Sequence, residues 1–122
     1  MIKGIWNMIE VYCGDKTKHE VLPKLEVVQG VFNGYFYNCP KYKEENRTPD
    51  ERKCCNRISP VEYEKMIDHI SKLLEDAEMN NEKINLTGYT WKSHGIQFEI
   101  FEHTDDKIKV SMLNPKEVQY NQ

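Results

Sequence analysis

All four cysteines of this 122-residue chain fall between positions 13 and 55: Cys13, Cys39, Cys54 and Cys55. His19 lies among them. Sulfurs this far apart in sequence can pair as disulfides, converge on an ion or stay as plain buried thiols. The opening residues, Met-Ile-Lys-Gly-Ile-Trp-Asn-Met-Ile-Glu, contain no apolar segment of the kind that marks an export signal. No run approaches the roughly 20 apolar residues of a membrane span. The expected compartment is the cytoplasm, with no membrane partner, and there thiols stay reduced. Metal binding then competes with plain burial, and disulfides fall behind both. Hydrophobic residues are 39% and charged residues 30% of the chain. That balance implies a thin core, which an added cross-link helps most.

Taken in order, residues 8–13 read as a strand, with Ile9, Val11 and Cys13 facing one way and Glu10 and Tyr12 the other. Gly14-Asp15 turns the chain, and the polar loop from Lys16 to Glu20 carries His19. Residues 22–28 form a second strand with Pro23 at its edge or start. Gln29-Gly30 breaks it, and 31–39 form a third, aromatic strand that Pro40 stops just past Cys39. Lys41 to Lys53 is a charged loop with almost no apolar content. Such a loop is mobile unless tethered, and Cys39 and Cys54-Cys55 bracket it. Ser59-Pro60-x-Glu62 is a helix start with its cap, its first-turn proline and its capping-box acid in place. Val61, Tyr63, Met66, Ile67, Ile70, Leu73, Leu74 and Ala77 make an apolar stripe running to about Asn80. His69 lies at the stripe's margin.

Beyond the helix, residues 84–91 read as a strand interrupted by Gly88, and 92–95 as a four-residue turn. Ile96, Phe98 and Ile100 then alternate with polar neighbours, as do Ile108, Val110 and Met112 across a turn at 104–107. The expected fold is α+β in one domain, 1–122. It comprises a Cys-bearing, zinc-ribbon-like N-terminal β part (1–58), one amphipathic helix (59–81), a C-terminal antiparallel β meander packed on the helix (82–114) and a polar tail (115–122).

Structural zinc wants four ligands, usually Cys or His, in a tetrahedron. Cys13, His19, Cys39 and one of Cys54 or Cys55 supply Cys₃His, and the four cysteines alone would supply Cys₄. Adjacent cysteines project in different directions and seldom both ligate. Cys54 is favoured because three residues remain before Ile58 for the chain to turn, which leaves Cys55 as a buried thiol or substitute ligand. The C-x₂-C pair that marks zinc sites most specifically is absent. A His in a polar loop is, in the bland reading, simply solvated.

Two other chemistries compete. The basic, aromatic segment 35–57 offers Lys41, Lys43, Arg47, Arg52, Lys53 and Arg57 with Tyr35, Tyr37 and Tyr42, a set that could hold phosphates and stack the bases of a single strand. Against it, bases exceed acids by only two across 41–57, since Glu44, Glu45, Asp50 and Glu51 share the segment, and the adjacent helix is acidic. That acidic face could instead meet a basic partner protein. Cys54 and Cys55 lie just before a helix N-terminus, where a thiol pKa can fall, so thiol redox chemistry is a further alternative. No phosphate loop, nucleophile elbow or placed base accompanies them, and no enzymatic activity is expected.

The runs Cys13-Gly14-Asp15, His19-Glu20, Phe36-Tyr37-Asn38-Cys39-Pro40-Lys41-Tyr42, Glu45-Asn46-Arg47 and Cys54-Cys55-Asn56-Arg57-Ile58-Ser59 carry a resemblance that continues through Asn85-Leu86-Thr87-Gly88-Tyr89 and Trp91-Lys92 to His103-Thr104. Over most of its length the chain resembles small uncharacterised proteins carried on phages and conjugative elements of Gram-positive bacteria. In their pattern a cysteine precedes x-Asn-Arg, which maps to Cys54 and leaves Cys55 as an extra. The resemblance implies a mobile-element context and a metal knuckle, and it implies no activity. The expected function is a non-enzymatic accessory or interaction protein with structural zinc (Zn2+) and a protein partner.

Overall fold

A computed structural model describes residues 5–29 and 34–118. The fold is α+β, with one long helix and two sheets. A short turn of helix, α1 (Ile5–Met8), leads into β1 (Ile9–Cys13), whose buried residues alternate with half-buried ones as its sequence dictates. β2 (Glu26–Gln29), β3 (Tyr35–Asn38) and β4 (Arg57–Ile58) form a three-stranded antiparallel sheet in that order. The expected strands at 22–28 and 31–39 are thus shorter. Pro23 and Lys24 instead lie along β1, where the Cys13 N–H donates to Pro23 O at 2.8 Å and the Leu25 N–H to Val11 O at 2.9 Å. Gly30 and residues 31–33 fall outside the described residues.

α2 (Pro60–Met79) starts on Ser59, whose hydroxyl accepts the Glu62 N–H at 3.3 Å, with Pro60 at the first helical position. Met66, Ile67, Ile70 and Ala77 are buried as the stripe predicts. Val61 is an exception at 59% exposed, because it lies on the first turn, short of the core. Asn81, with φ 54°, ends the helix in the left-handed conformation that asparagine tolerates. His69 is half-buried. It sits 4.8 Å, centroid to centroid, from Trp91 and 3.0 Å from the Tyr89 hydroxyl.

β5 (Thr90–Ser93), β6 (Ile96–His103) and β7 (Ile108–Leu113) form the antiparallel meander. The expected strand at 84–91 is displaced toward β5, for a local reason. Gly88 takes φ +91°, and the Leu86 N–H is taken by His103 Nδ1 at 2.9 Å. The connection between β5 and β6 is a two-residue turn rather than a four-residue one. His94 and Gly95 both have positive φ, 53° and 83°. That backbone lets two twisted strands close tightly. The polar tail begins with a short helix, α3 (Pro115–Val118).

β1 does not stay with β2 and β3. It pairs in parallel with β7, from Ile9 opposite Ile108 to Cys13 opposite Met112, giving a four-stranded sheet ordered β1-β7-β6-β5. The N-terminal β part is therefore divided between two sheets. One core joins them: Ile9, Val11, Leu25, Ile58, Met66, Ile67, Ile70, Ile96, Phe98, Ile100, Ile108, Val110 and Met112 are all buried in a single cluster. The three cysteines at its margin belong to the same cluster.

Candidate metal centre

Three strand ends and one loop deliver the site. Cys13 is the last residue of β1, Cys39 follows β3, and Cys54 precedes β4. The β3–β4 pairing continues past the strands: the Cys39 N–H donates to Asn56 O at 2.9 Å and the Cys54 N–H to Lys41 O at 3.3 Å. That ladder closes the neck of the 40–53 loop and faces the two sulfurs toward the end of β1. Gly14 is what lets β1 end there. Its N–H donates to Met112 O at 2.7 Å, and a Cβ on Gly14 would stand 3.0 Å from that same oxygen. Residues 14–18 then fold as a compact turn held by Asp15, which accepts the Thr17 N–H at 3.1 Å and pairs with Lys18 at 3.7 Å. The turn returns the chain so that His19 is buried at 9% exposure.

The outcome is a cluster of Cys13, His19, Cys39 and Cys54, with one potential ligand atom from each and all four atoms within 4.8 Å of one another. Cys13 and Cys54 Sγ are 3.7 Å apart, and Cys39 Sγ is 3.5 Å from His19 Nε2. A tetrahedron with Zn–S bonds of ~2.3 Å and a Zn–N bond of ~2.0 Å has S–S edges of about 3.8 Å and S–N edges of about 3.5 Å. The donor set and both distances therefore fit a tetrahedral ion. The three cysteines are fully buried and none is in a disulfide. Cys55 is only half-buried and stands outside the cluster.

Electrostatics in the cluster is dominated by sulfur–sulfur contact. Hydrogen bonds from Cys39 and Cys54 hold the Cys13 thiol down to about 3, far below the usual thiol range, and Asn56 and the Asp15 backbone add to this. The bond with Cys13, together with burial, pushes Cys39 and Cys54 up. Each sulfur also has a backbone group two residues on that favours its thiolate: Asp15 for Cys13, Lys41 for Cys39 and Asn56 for Cys54. Amides aimed at sulfur are how a chain stabilises the negative charge a metal-binding thiolate carries.

The basic segment is arranged differently. Lys41 pairs with Glu51 at 3.1 Å and Lys43 with Glu26 at 3.9 Å. Arg57 pairs with Glu117 at 3.1 Å and lies 4.5 Å over the Phe36 ring. Arg47 donates to Lys43 O at 3.4 Å, whereas Arg52 and Lys53 are exposed. Tyr37 stacks on Tyr63 of α2 with centroids 3.8 Å apart, and Tyr42 has the Lys43 ammonium 5.6 Å from its ring. Lys41 and Lys43 thus fold the loop on itself and onto β2, and Arg57 of β4 holds α3.

Sequence reasoning passed over Asn56. It is fully buried, and its carboxamide contacts Cys13 and β7. The Cys-x-Asn-Arg pattern that starts at Cys54 contains it, but nothing in the sequence says what it touches, because its partners lie in β1 and β7, far away in the chain. Among the described residues no helix is long and apolar enough to cross a membrane. No protein-family model matches the chain, and neither a curated protein nor a solved structure matches it.

Proposed function

We propose that this chain is a non-enzymatic accessory or interaction protein whose shape depends on one structural zinc ion held by Cys13, His19, Cys39 and Cys54. The observation that carries the reading is the convergence of four buried donor atoms within 4.8 Å, contributed by β1, its following loop and both sides of the 40–53 neck. A closed set of four protein ligands is the pattern of structural sites, whereas catalytic sites keep a position open for water or substrate. Three soft sulfurs and an imidazole in a tetrahedral arrangement favour zinc over oxygen-seeking ions such as magnesium or calcium. When bound, the ion supplies a cross-link among segments that share little sequence proximity. The cysteines supply charge neutralisation, and His19 closes the last side.

The mobile-element setting is part of the proposal and is supported by the sequence resemblance alone. The nucleic-acid alternative has weaker support, since Lys41, Lys43 and Arg57 are already engaged by Glu51, Glu26 and Glu117. Metal analysis of the purified protein tests the main reading. One equivalent of zinc is expected, replaceable by cobalt with the strong sulfur-to-metal absorption of tetrahedral thiolate coordination. Absence of bound metal, with a melting curve indifferent to chelator, would leave three buried thiols and overturn it.

A further inference from the structure

Asn56 touches the candidate centre in several ways at once. Its Nδ2 donates to Cys13 Sγ at 3.1 Å and to Met112 O at 2.8 Å. Its Oδ1 accepts the Asn114 N–H at 2.8 Å. Its backbone oxygen accepts the Cys39 N–H at 2.9 Å. The carboxamide has two N–H groups and one oxygen in use, and the residue is fully buried. The orientation is fixed by its surroundings: a flipped amide would set its oxygen against Met112 O and its NH₂ against the Asn114 N–H. One of its two hydrogens therefore has only a sulfur to bond. A thiol is a poor acceptor and a thiolate a good one, so this buried amide is satisfied best when Cys13 is ionised.

We infer that Asn56 is the positioning residue of the metal centre, orienting the Cys13 thiolate and fixing it to the end of β7. The inference rests on the zinc reading above. It assigns the donor strength of one ligand to a side chain that does not itself touch the ion. Cys13 Sγ receives a buried side-chain amide at 3.1 Å. That amide bridges the sulfur to the end of β7, so the position of Cys13 is fixed from outside the donor set. Removing such an outer hydrogen bond at a metal site commonly weakens metal binding 10–100-fold.

The test uses the intact protein loaded with ¹¹³Cd, which takes zinc's place at thiolate sites and has a nuclear spin. A side-chain N–H bonded to a metal-bound sulfur shows a scalar coupling to the metal across the hydrogen bond. The expected result is such a coupling on one Asn56 Nδ2 proton. Cadmium bound with no coupling at that proton overturns the role of Asn56 while leaving the metal site standing. Failure to bind cadmium or zinc at all overturns the metal reading and this inference together. A second arm compares cobalt-loaded wild type with Asn56→Ala. Loss of the N–H···S bond is expected to move the sulfur-to-cobalt absorption to lower energy and to speed metal loss to a chelator by roughly tenfold or more. A residue that merely packs would lower the melting point and leave that absorption unmoved, which would also count against the inference. The coupling measurement needs no substitution, so it decides the matter even if Asn56→Ala does not fold.

Discussion

At the scale of single residues, the chain separates two adjacent sulfurs that composition treats alike. Cys54 is fully buried and 3.7 Å from Cys13 Sγ, while Cys55 is half-buried and outside the cluster. Successive side chains in an extended segment point to opposite sides, and the bond from the Cys54 N–H to Lys41 O sets which side faces inward. Substituting Cys13, Cys39 or Cys54 with serine is expected to reduce bound zinc from one equivalent to near none, as read by elemental analysis. Cys55→Ser is expected to keep the full equivalent. Because coordination requires deprotonated sulfur, metal retention should also fall as pH drops, with protons released on binding. Legibility in the sequence was greatest here for residue type and least for second contacts. Cysteines and a nearby histidine announce a donor set by their chemistry, whereas Asn56 acquires its role only when β7 arrives beside β1.

At the scale of elements, α2 was the most legible piece because its signals are local. Ser59, Pro60 and Glu62 lie within one turn, and the apolar stripe repeats every three or four residues. The Ser59 hydroxyl satisfies an otherwise orphan N–H of the first turn. Ser59→Ala is expected to cost ~1 kcal/mol, measured by denaturant unfolding of the metal-loaded protein. The partner of β1 was not legible. Alternation in Ile9, Val11 and Cys13 reports which face is buried and says nothing about which strand lies alongside. An antiparallel partner can be announced by a short turn, as at His94-Gly95, but a parallel one requires a long crossover. Ion pairs help hold the β1–β7 pairing. The Lys107 ammonium donates to Glu10 Oε2 at 2.9 Å, and Lys24 lies 3.7 Å from the same carboxylate. The Lys107 hydrogen bond, then that of the Tyr12 hydroxyl, hold the Glu10 carboxyl down to about 2. A carboxylate depressed in the folded state contributes stability above its ordinary value of 4.5, and the contribution is lost as pH falls from there toward 2. Glu10→Gln should therefore be slightly less stable than wild type at pH 7, by less than ~1 kcal/mol because the pair is near solvent. The two should converge near pH 2, as followed by denaturant midpoints, and added salt should narrow the gap at pH 7.

At the scale of the whole molecule, one core serves two sheets and the cysteine cluster sits where they meet. The loop at 40–53 is tied at its neck, while its interior relies on short-range contacts such as Lys41 with Glu51. Chelation at neutral pH is expected to lower the melting midpoint by on the order of 10 °C, since ~1 kcal/mol moves a domain of this size by roughly 4 °C. Limited proteolysis after chelation should cut first within 41–53, with β6 and β7 surviving longer. The fold class could be read from the sequence because periodicity and helix punctuation are short-range. The division of the N-terminal β part between two sheets could not, since it depends on a pairing between opposite ends of the chain. That pairing also sets a timetable. Met112, which lies opposite Cys13 and binds both Gly14 and Asn56, is added 99 residues after it. At translation speeds of ~5–20 residues per second, the first sulfur waits several seconds or more for the strand that completes its surroundings. Until β7 emerges the nascent chain carries uncommitted thiols, and an ion can be locked in only after that strand arrives.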